Sequence, residues 1–206
     1  MGCDIHIHVE YKRTVCGEKK WWCGDYFKIN RYYGTDEYEP EYNLVGLCDG
    51  RNYSRFAVLA NVRNYGDTEY IDEPRGLPDD VTAEVLKDSD NWGIDGHSHS
   101  YFTLKELIDY QENIQPLKHR GMISPEAQWY LDNQGILPDS WCQGTNKAGW
   151  AFREWEEENT VLIPLIDAIK KRADELYVIY DWLWECEPQE AYKKSEDIRI
   201  VFWFDN

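Results

Sequence analysis

Cys3-Asp4-Ile5-His6-Ile7-His8-Val9-Glu10, near the start of the chain, is the stretch on which the fold turns. Ile5, Ile7 and Val9 fall on one side of an extended backbone, and Asp4, His6, His8 and Glu10 on the other. That period of two predicts a strand over 3–12 with one apolar and one polar face. Its expected neighbour is the closing run Ile198-Arg199-Ile200-Val201-Phe202-Trp203-Phe204. Ile198, Ile200, Phe202 and Phe204 line one face, while Val201 and Trp203 make the other apolar as well, the pattern of a strand interior to a sheet. Pairing the two predicts an α+β fold: a mixed or antiparallel sheet joining the N- and C-terminal strands, with helices packed on one side.

Between these ends the helical signals are local. A turn over 16–20 leads to a second strand over 21–29, and 30–53 reads as a long irregular excursion of the kind that carries function. Short helices are expected over 54–62, with Ser54 as N-cap, and over 82–90, separated by a loop that contains Arg75-Gly76-Leu77-Pro78. Thr103-Leu104-Lys105-Glu106 is a capping box that starts a helix. Ser124-Pro125 opens another, and Gly135 stops it. Leu162, Leu165, Ile166, Ile169, Ala173, Leu176, Tyr177, Tyr180, Leu183 and Trp184 recur at spacings of three and four, the core stripe of a long helix. Pro164 must lie in its first turn, so the helix should begin near Asn159 or Thr160. No repeat or linker interrupts the chain, and 1–206 is read as a single domain.

The composition, 42% hydrophobic and 30% charged, is globular. A net charge of −17 argues against a nucleic acid polymer as partner, because such a field repels a phosphate backbone. It leaves room for a small phosphorylated ligand, which needs only a few well-placed Arg side chains. No signal segment and no apolar run of about 18 residues is present, so a membrane is not expected and the location read is cytoplasmic. Six irregularly spaced cysteines (Cys3, Cys16, Cys23, Cys48, Cys142, Cys186) read as reduced thiols.

Two groups of residues carry chemistry. The first is the pair of His-x-His motifs, His6/His8 and His97/His99. Side chains two apart on a strand share a face about 7 Å apart, close enough to converge on one divalent metal of the Zn or Mn type, with Asp4 as a further ligand or an orienting carboxylate. The alternative is a polar strand face and a polar loop with no ion. His119, between Lys118 and Arg120, reads as surface. The second group is cationic and aromatic: Arg51 and Tyr53, Arg63 and Asn64, and Arg75, all in loops or at element ends, with Ser98 and Ser100 beside the histidines. Arg offers a planar fork to phosphate and Tyr stacks on rings. No Walker loop, Gly-x-Gly-x-x-Gly or Gly-x-Ser-x-Gly occurs. A Cys–His nucleophile through Cys3 or Cys48 is not selected by any spacing.

Asp4-x-His6-x-His8 resembles the opening metal motif of polymerase-and-histidinol-phosphatase-type phosphoesterases and amidohydrolases. Five histidines are too few for those barrels, and membership is rejected. Taken together, Met1-Gly2-Cys3-Asp4-Ile5-His6, Phe56-Ala57-Val58-Leu59-Ala60-Asn61-Val62-Arg63-Asn64, Arg75-Gly76-Leu77-Pro78, His97-Ser98-His99-Ser100-Tyr101-Phe102-Thr103-Leu104 and Val201-Phe202-Trp203-Phe204-Asp205-Asn206 resemble a widespread family of phage and prophage proteins of this length. The resemblance implies a phage-encoded accessory protein, acting in the cytoplasm of the infected bacterium, and brings no established activity. Members often carry an aromatic residue at position 8, which favours Asp4, His6, His97 and His99 over His8 as the catalytic or metal-binding set.

Three readings follow. The first is a binding protein whose pocket, lined by Asp4, His6, His97, His99 and the loop Arg and Tyr residues, captures a small nucleotide-like ligand and silences a host immune signal by sequestration, as a monomer or a homo-oligomer. The second is a metal-dependent hydrolase of a phosphoester, with Asp4 or Glu10 as general base. The third is an acidic DNA mimic that inhibits a host protein, carried by the charge and by Glu154, Glu156, Glu157 and Glu158.

Overall fold

The computed structural model describes residues 2–15, 17–35, 40–47, 50–137, 144, 147–183 and 194–205; the side chains of 15 and 177–183 lie outside that description. So do Cys16, Cys48, Cys142, Cys186 and Trp184, and the side chains of Tyr177, Tyr180 and Leu183, on which some sequence expectations fall.

The elements run β1 (Asp4–Val15), β2 (Glu18–Cys23), β3 (Tyr26–Ile29), β4 (Tyr42–Val45), α1 (Tyr53–Ala60), α2 (Ala83–Trp92), β5 (His97–Thr103), α3 (Leu104–Glu112), β6 (Leu117–Ile123), α4 (Pro125–Gln134), β7 (Ala151–Glu157), α5 (Ile163–Leu183) and β8 (Ile198–Asp205). The main sheet has the order β2-β1-β8-β5 and is antiparallel throughout. β1 and β8 pair from Asp4 opposite Asp205 to Tyr11 opposite Ile198, so the two ends of the chain form the centre of the sheet. This is the α+β fold that the alternation of 3–10 and the greasy closing strand predict.

One face of the sheet presents Ile7, Val9, Ile200, Phe202 and Phe204 to Phe56, Val58 and Leu59 of α1, Leu104 and Leu107 of α3, and Leu165, Ile166 and Ile169 of α5. Each of these large side chains contributes about 1.5–3 kcal/mol relative to exposure. The polar face of β1 is covered too. α2 lies on it through Val85, packed with Val201 and Trp203. The helices expected on one side are therefore joined by α2 on the other, and Val201 and Trp203 owe their burial to it.

Local signals place several boundaries. The capping box is complete, with the Thr103 side chain accepting from the Glu106 amide and Glu106 reaching back to Thr103 N–H. Ser124 caps α4, Pro125 is its first residue, and Gly135 ends it at φ 71°. α1 starts two residues earlier than Ser54 suggests, because Asn52, an equally good cap, accepts from Arg55 N–H at 3.0 Å. The strand expected over 21–29 is broken at Gly24-Asp25, where the Asp25 carboxylate turns inward. Unanticipated was the antiparallel pairing of β6 with β7, with Leu117 opposite Glu157 and Ile123 opposite Ala151, which packs against α4 through Ile123, Ala127 and Trp155. Among the described residues no helix is long and apolar enough to cross a membrane.

Candidate functional site

The four histidines of the two His-x-His motifs do not close on one point. β8 lies between β1 and β5 in the sheet, so its side chains separate theirs. His6 is directly opposite Trp203, and the rings of His6, His8 and His99 stand around that indole at centroid distances of 5.7, 4.7 and 5.7 Å. Trp92 of α2 lies 4.1 Å from His6. His97 goes to the opposite face. A β-bulge between His97 and Ser100, with Ser98 at φ 53°, breaks the period of two, and His97 pairs with Phe204 on the core side. The spacing argument for that motif fails because it assumed a regular strand.

Each imidazole already has a partner. His6 Nε2 is 3.3 Å from Asp205 Oδ2, His99 Nε2 is 3.0 Å from Ser89 Oγ, and His97 Nδ1 is 3.0 Å from Ser98 Oγ. Burial, then the proximity of His97, holds His99 below the usual histidine range. Asp4 is taken up in a bidentate pair with Arg51 at 2.6 and 2.8 Å. The Arg51 hydrogen bonds hold its carboxyl below the usual range. Among the described residues no group of three or more His, Cys, Asp or Glu side chains is placed to hold a metal ion.

His8 is in a different situation. It is 3% exposed, with Nδ1 2.7 Å from Asp25 Oδ2 and Nε2 3.3 Å from Asp88 Oδ2. Burial alone would favour the neutral ring, but the bonds to Asp25 and then Asp88 overturn it and raise the group from 6.5 to about 9. A carboxylate on each side of the ring favours the imidazolium form. Arg172 of α5 donates to Asp25 Oδ1 and to Gly24 O, both at 3.2 Å. This network ties β1, the β2–β3 turn, α2 and α5 together, and it is structural.

The cationic set divides. Arg75 is held by Asp72 at 3.0 Å, Glu106 at 2.7 Å and the Tyr101 carbonyl at 3.3 Å, while its own amide donates to the buried Ser100 hydroxyl at 3.2 Å. Arg75, Ser98 and Ser100 thus shape β5 and the loop beside it. Tyr53, Arg63 and Asn64 instead line one cleft of about 160 Å³. One wall is the start of α1 and the 63–68 loop; the other is β6, through Lys118, His119 and Arg120. Tyr65, 64% exposed, stands at the cleft with Tyr53.

The loop is built to hold that shape. Asn61, Arg63 and Asp67 all have left-handed φ angles between 54° and 57°, which disfavours non-glycine residues. Asn64 holds them in place: its amide donates to Asn61 Oδ1 at 2.9 Å and Thr68 O at 2.7 Å, and its Oδ1 accepts from Thr68 N–H at 2.8 Å. Asn64, expected to read a ligand, is therefore the staple of the loop. Arg63 contacts the Tyr65 hydroxyl at 3.4 Å and the buried thiol of Cys3, whose ionisation burial opposes. Gly66 sits so close to β6 that a Cβ there would lie 2.1 Å from the Lys118 carbonyl oxygen.

No protein family, curated protein or solved structure matches this chain.

Lys118 and Arg120, not selected from the sequence, are exposed, and among the described residues neither makes an ion pair. Their cross-strand neighbours are Glu156 and Glu154. His119 is occupied, with its ring 5.3 Å from Trp155 and Nε2 2.8 Å from Glu157. The signal that could have found the pair is the alternation in Leu117-Lys118-His119-Arg120-Gly121, where Leu117 and Gly121 are buried and Lys118 and Arg120 are not. Gly66→Ala tests the close approach that forms the cleft. A backbone carbonyl cannot rotate away, so the loop must withdraw from β6. A loss of about 1–3 kcal/mol in urea unfolding is expected, and an unchanged midpoint would show that the two walls are not in contact.

Proposed function

We propose that the protein retains a small, anionic, ring-bearing ligand of nucleotide type in the cleft between the 63–68 loop and β6. The observation that carries this reading is the grouping of Arg63, Lys118 and Arg120 with Tyr53 and Tyr65, in a chain of net charge −17. Guanidinium and ammonium groups complement phosphate, and phenol rings stack on bases. Among the other polar groups at the cleft, Asn64 and Thr68 hold the loop and His119 is bonded to Glu157, which supports a reading of holding a ligand. With the resemblance to phage and prophage proteins, this supports an accessory protein that sequesters a host immune signalling nucleotide in the infected cell. The field of the whole chain opposes a polymer of phosphates, and a half-open cleft of this size suits a small molecule.

Incubation of the purified chain with nucleotide extract from infected cells, removal of free ligand, heat release and mass spectrometry test the reading. A nucleotide-type ligand should be recovered near one per chain. Lys118→Glu with Arg120→Glu should lower retention at least tenfold, each lost charge-assisted bond costing about 1.5–3 kcal/mol. No recovered ligand, or equal retention by the folded double variant, would refute it.

A further inference from the structure

We infer that the group recognised in this cleft is a single terminal phosphoryl of a mononucleotide-sized ligand, not the bridging phosphate of a cyclic dinucleotide. The inference rests on the nucleotide-binding reading above and narrows it.

Size is the first ground. The cleft measures about 160 Å³, whereas sites that engulf a whole drug-sized molecule run to roughly 300–1,000 Å³. It has room for a phosphoryl group and part of a sugar, and the rest of the ligand must lie outside, against Tyr65, which is 64% exposed.

Charge and valence are the second. Lys118 and Arg120 are two apart on β6 and project from the same side of the strand, about 7 Å from one another. Arg63 approaches from the facing loop. Three cations therefore come from two walls. A terminal phosphomonoester carries close to two negative charges and three non-bridging oxygens, one for each cation. A bridging phosphodiester offers one charge and two such oxygens, a poorer match to three cations.

The neighbouring strand sharpens the preference. Glu156 and Glu154 oppose Lys118 and Arg120 on the paired strand β7. A dianion is repelled from β7 and confined to the loop side of β6, so a ligand with two phosphates spread across its width would bring one of them against carboxylate.

Calorimetry on the full chain decides the matter with the four common 5′-mononucleotides, their nucleosides, the 3′,5′-cyclic mononucleotides and cyclic di-adenylate and di-guanylate. At least one 5′-mononucleotide should bind tenfold or more tightly than its nucleoside and its cyclic form, and Lys118→Gln or Arg120→Gln, both exposed and checked for fold by circular dichroism, should remove that advantage. If a cyclic form binds as tightly as the 5′-monophosphate, or more tightly, the phosphomonoester inference falls and the nucleotide reading stands. If no member of either class binds at millimolar concentration, both fall.

Discussion

Asp25→Ala is expected to destabilise the protein by about 3–5 kcal/mol, because it leaves two buried cations facing one another. Asp25 is 7% exposed and accepts from His8 at 2.7 Å, Arg172 at 3.2 Å and the Val9 amide at 3.2 Å. Without it His8 keeps only Asp88 and must give up its proton or remain poorly compensated in the interior. The same pair predicts a pH dependence with a definite sign. The folded His8 group stands at about 9 against 6.5 in the open chain. A raised value means that the folded state holds its proton more tightly. The stabilisation is fully present below 6.5 and is lost as pH rises through about 9, a change of roughly 3 kcal/mol. Urea midpoints between pH 6 and 9.5 should fall for the parent protein and stay nearly level over that range for Asp25→Ala. A parent curve that is flat, or that rises, would contradict a buried imidazolium at position 8.

Glu10→Ala should have an effect of similar size by a different route. Glu10 is fully buried on the polar side of β1, where Oε2 accepts from Arg199 Nε at 2.6 Å and Oε1 accepts from the Thr82 amide at 2.7 Å. Arg199 is 3% exposed and would keep only Asp80, itself largely in solvent, at 2.6 Å. Breaking a buried pair from one side costs about 3–5 kcal/mol. The second bond has a local consequence. Thr82 stands at the N-cap of α2 without a side-chain capping bond of its own, and the Glu10 carboxylate of β1 accepts from its backbone N–H, next to the positive end of the helix. Removing it should free α2. Hydrogen exchange in Glu10→Ala should therefore rise first over Ala83–Trp92, ahead of β8; uniform loss of protection would mean that α2 does not depend on this contact. Glu10→Gln, which keeps the acceptor for Thr82 N–H but loses the charge opposite Arg199, should leave α2 protected and cost less.

How much of this was legible without coordinates depends on the range over which each interaction acts. The alternation of Ile5, Ile7 and Val9, the apolar closing strand, the capping box at Thr103, the Ser124-Pro125 start and the Gly135 stop are features of a few consecutive residues, and all are present in the structure. Tyr53, Arg63 and Asn64 were also visible, because loop Arg, Asn and Tyr stand out in an acidic chain. Their other wall was not. β6 and β7 are separated by the whole of α4, and nothing local in Lys118-His119-Arg120 tells which loop will lie across it.

Sequence by itself determined the α+β class, the joining of the two chain ends and most helix boundaries, since these follow from side-chain period and from caps that read only their own backbone. Tertiary structure alone decided which polar residues meet. It placed β8 between the two histidine motifs, used a bulge at Ser98 to send His97 to the core, gave Arg51, Arg75 and His8 carboxylates from distant elements, and laid the 63–68 loop against β6. Partner choice among charged groups depends on which strands become neighbours, and strand order is a property of the packed sheet that no window of adjacent residues contains.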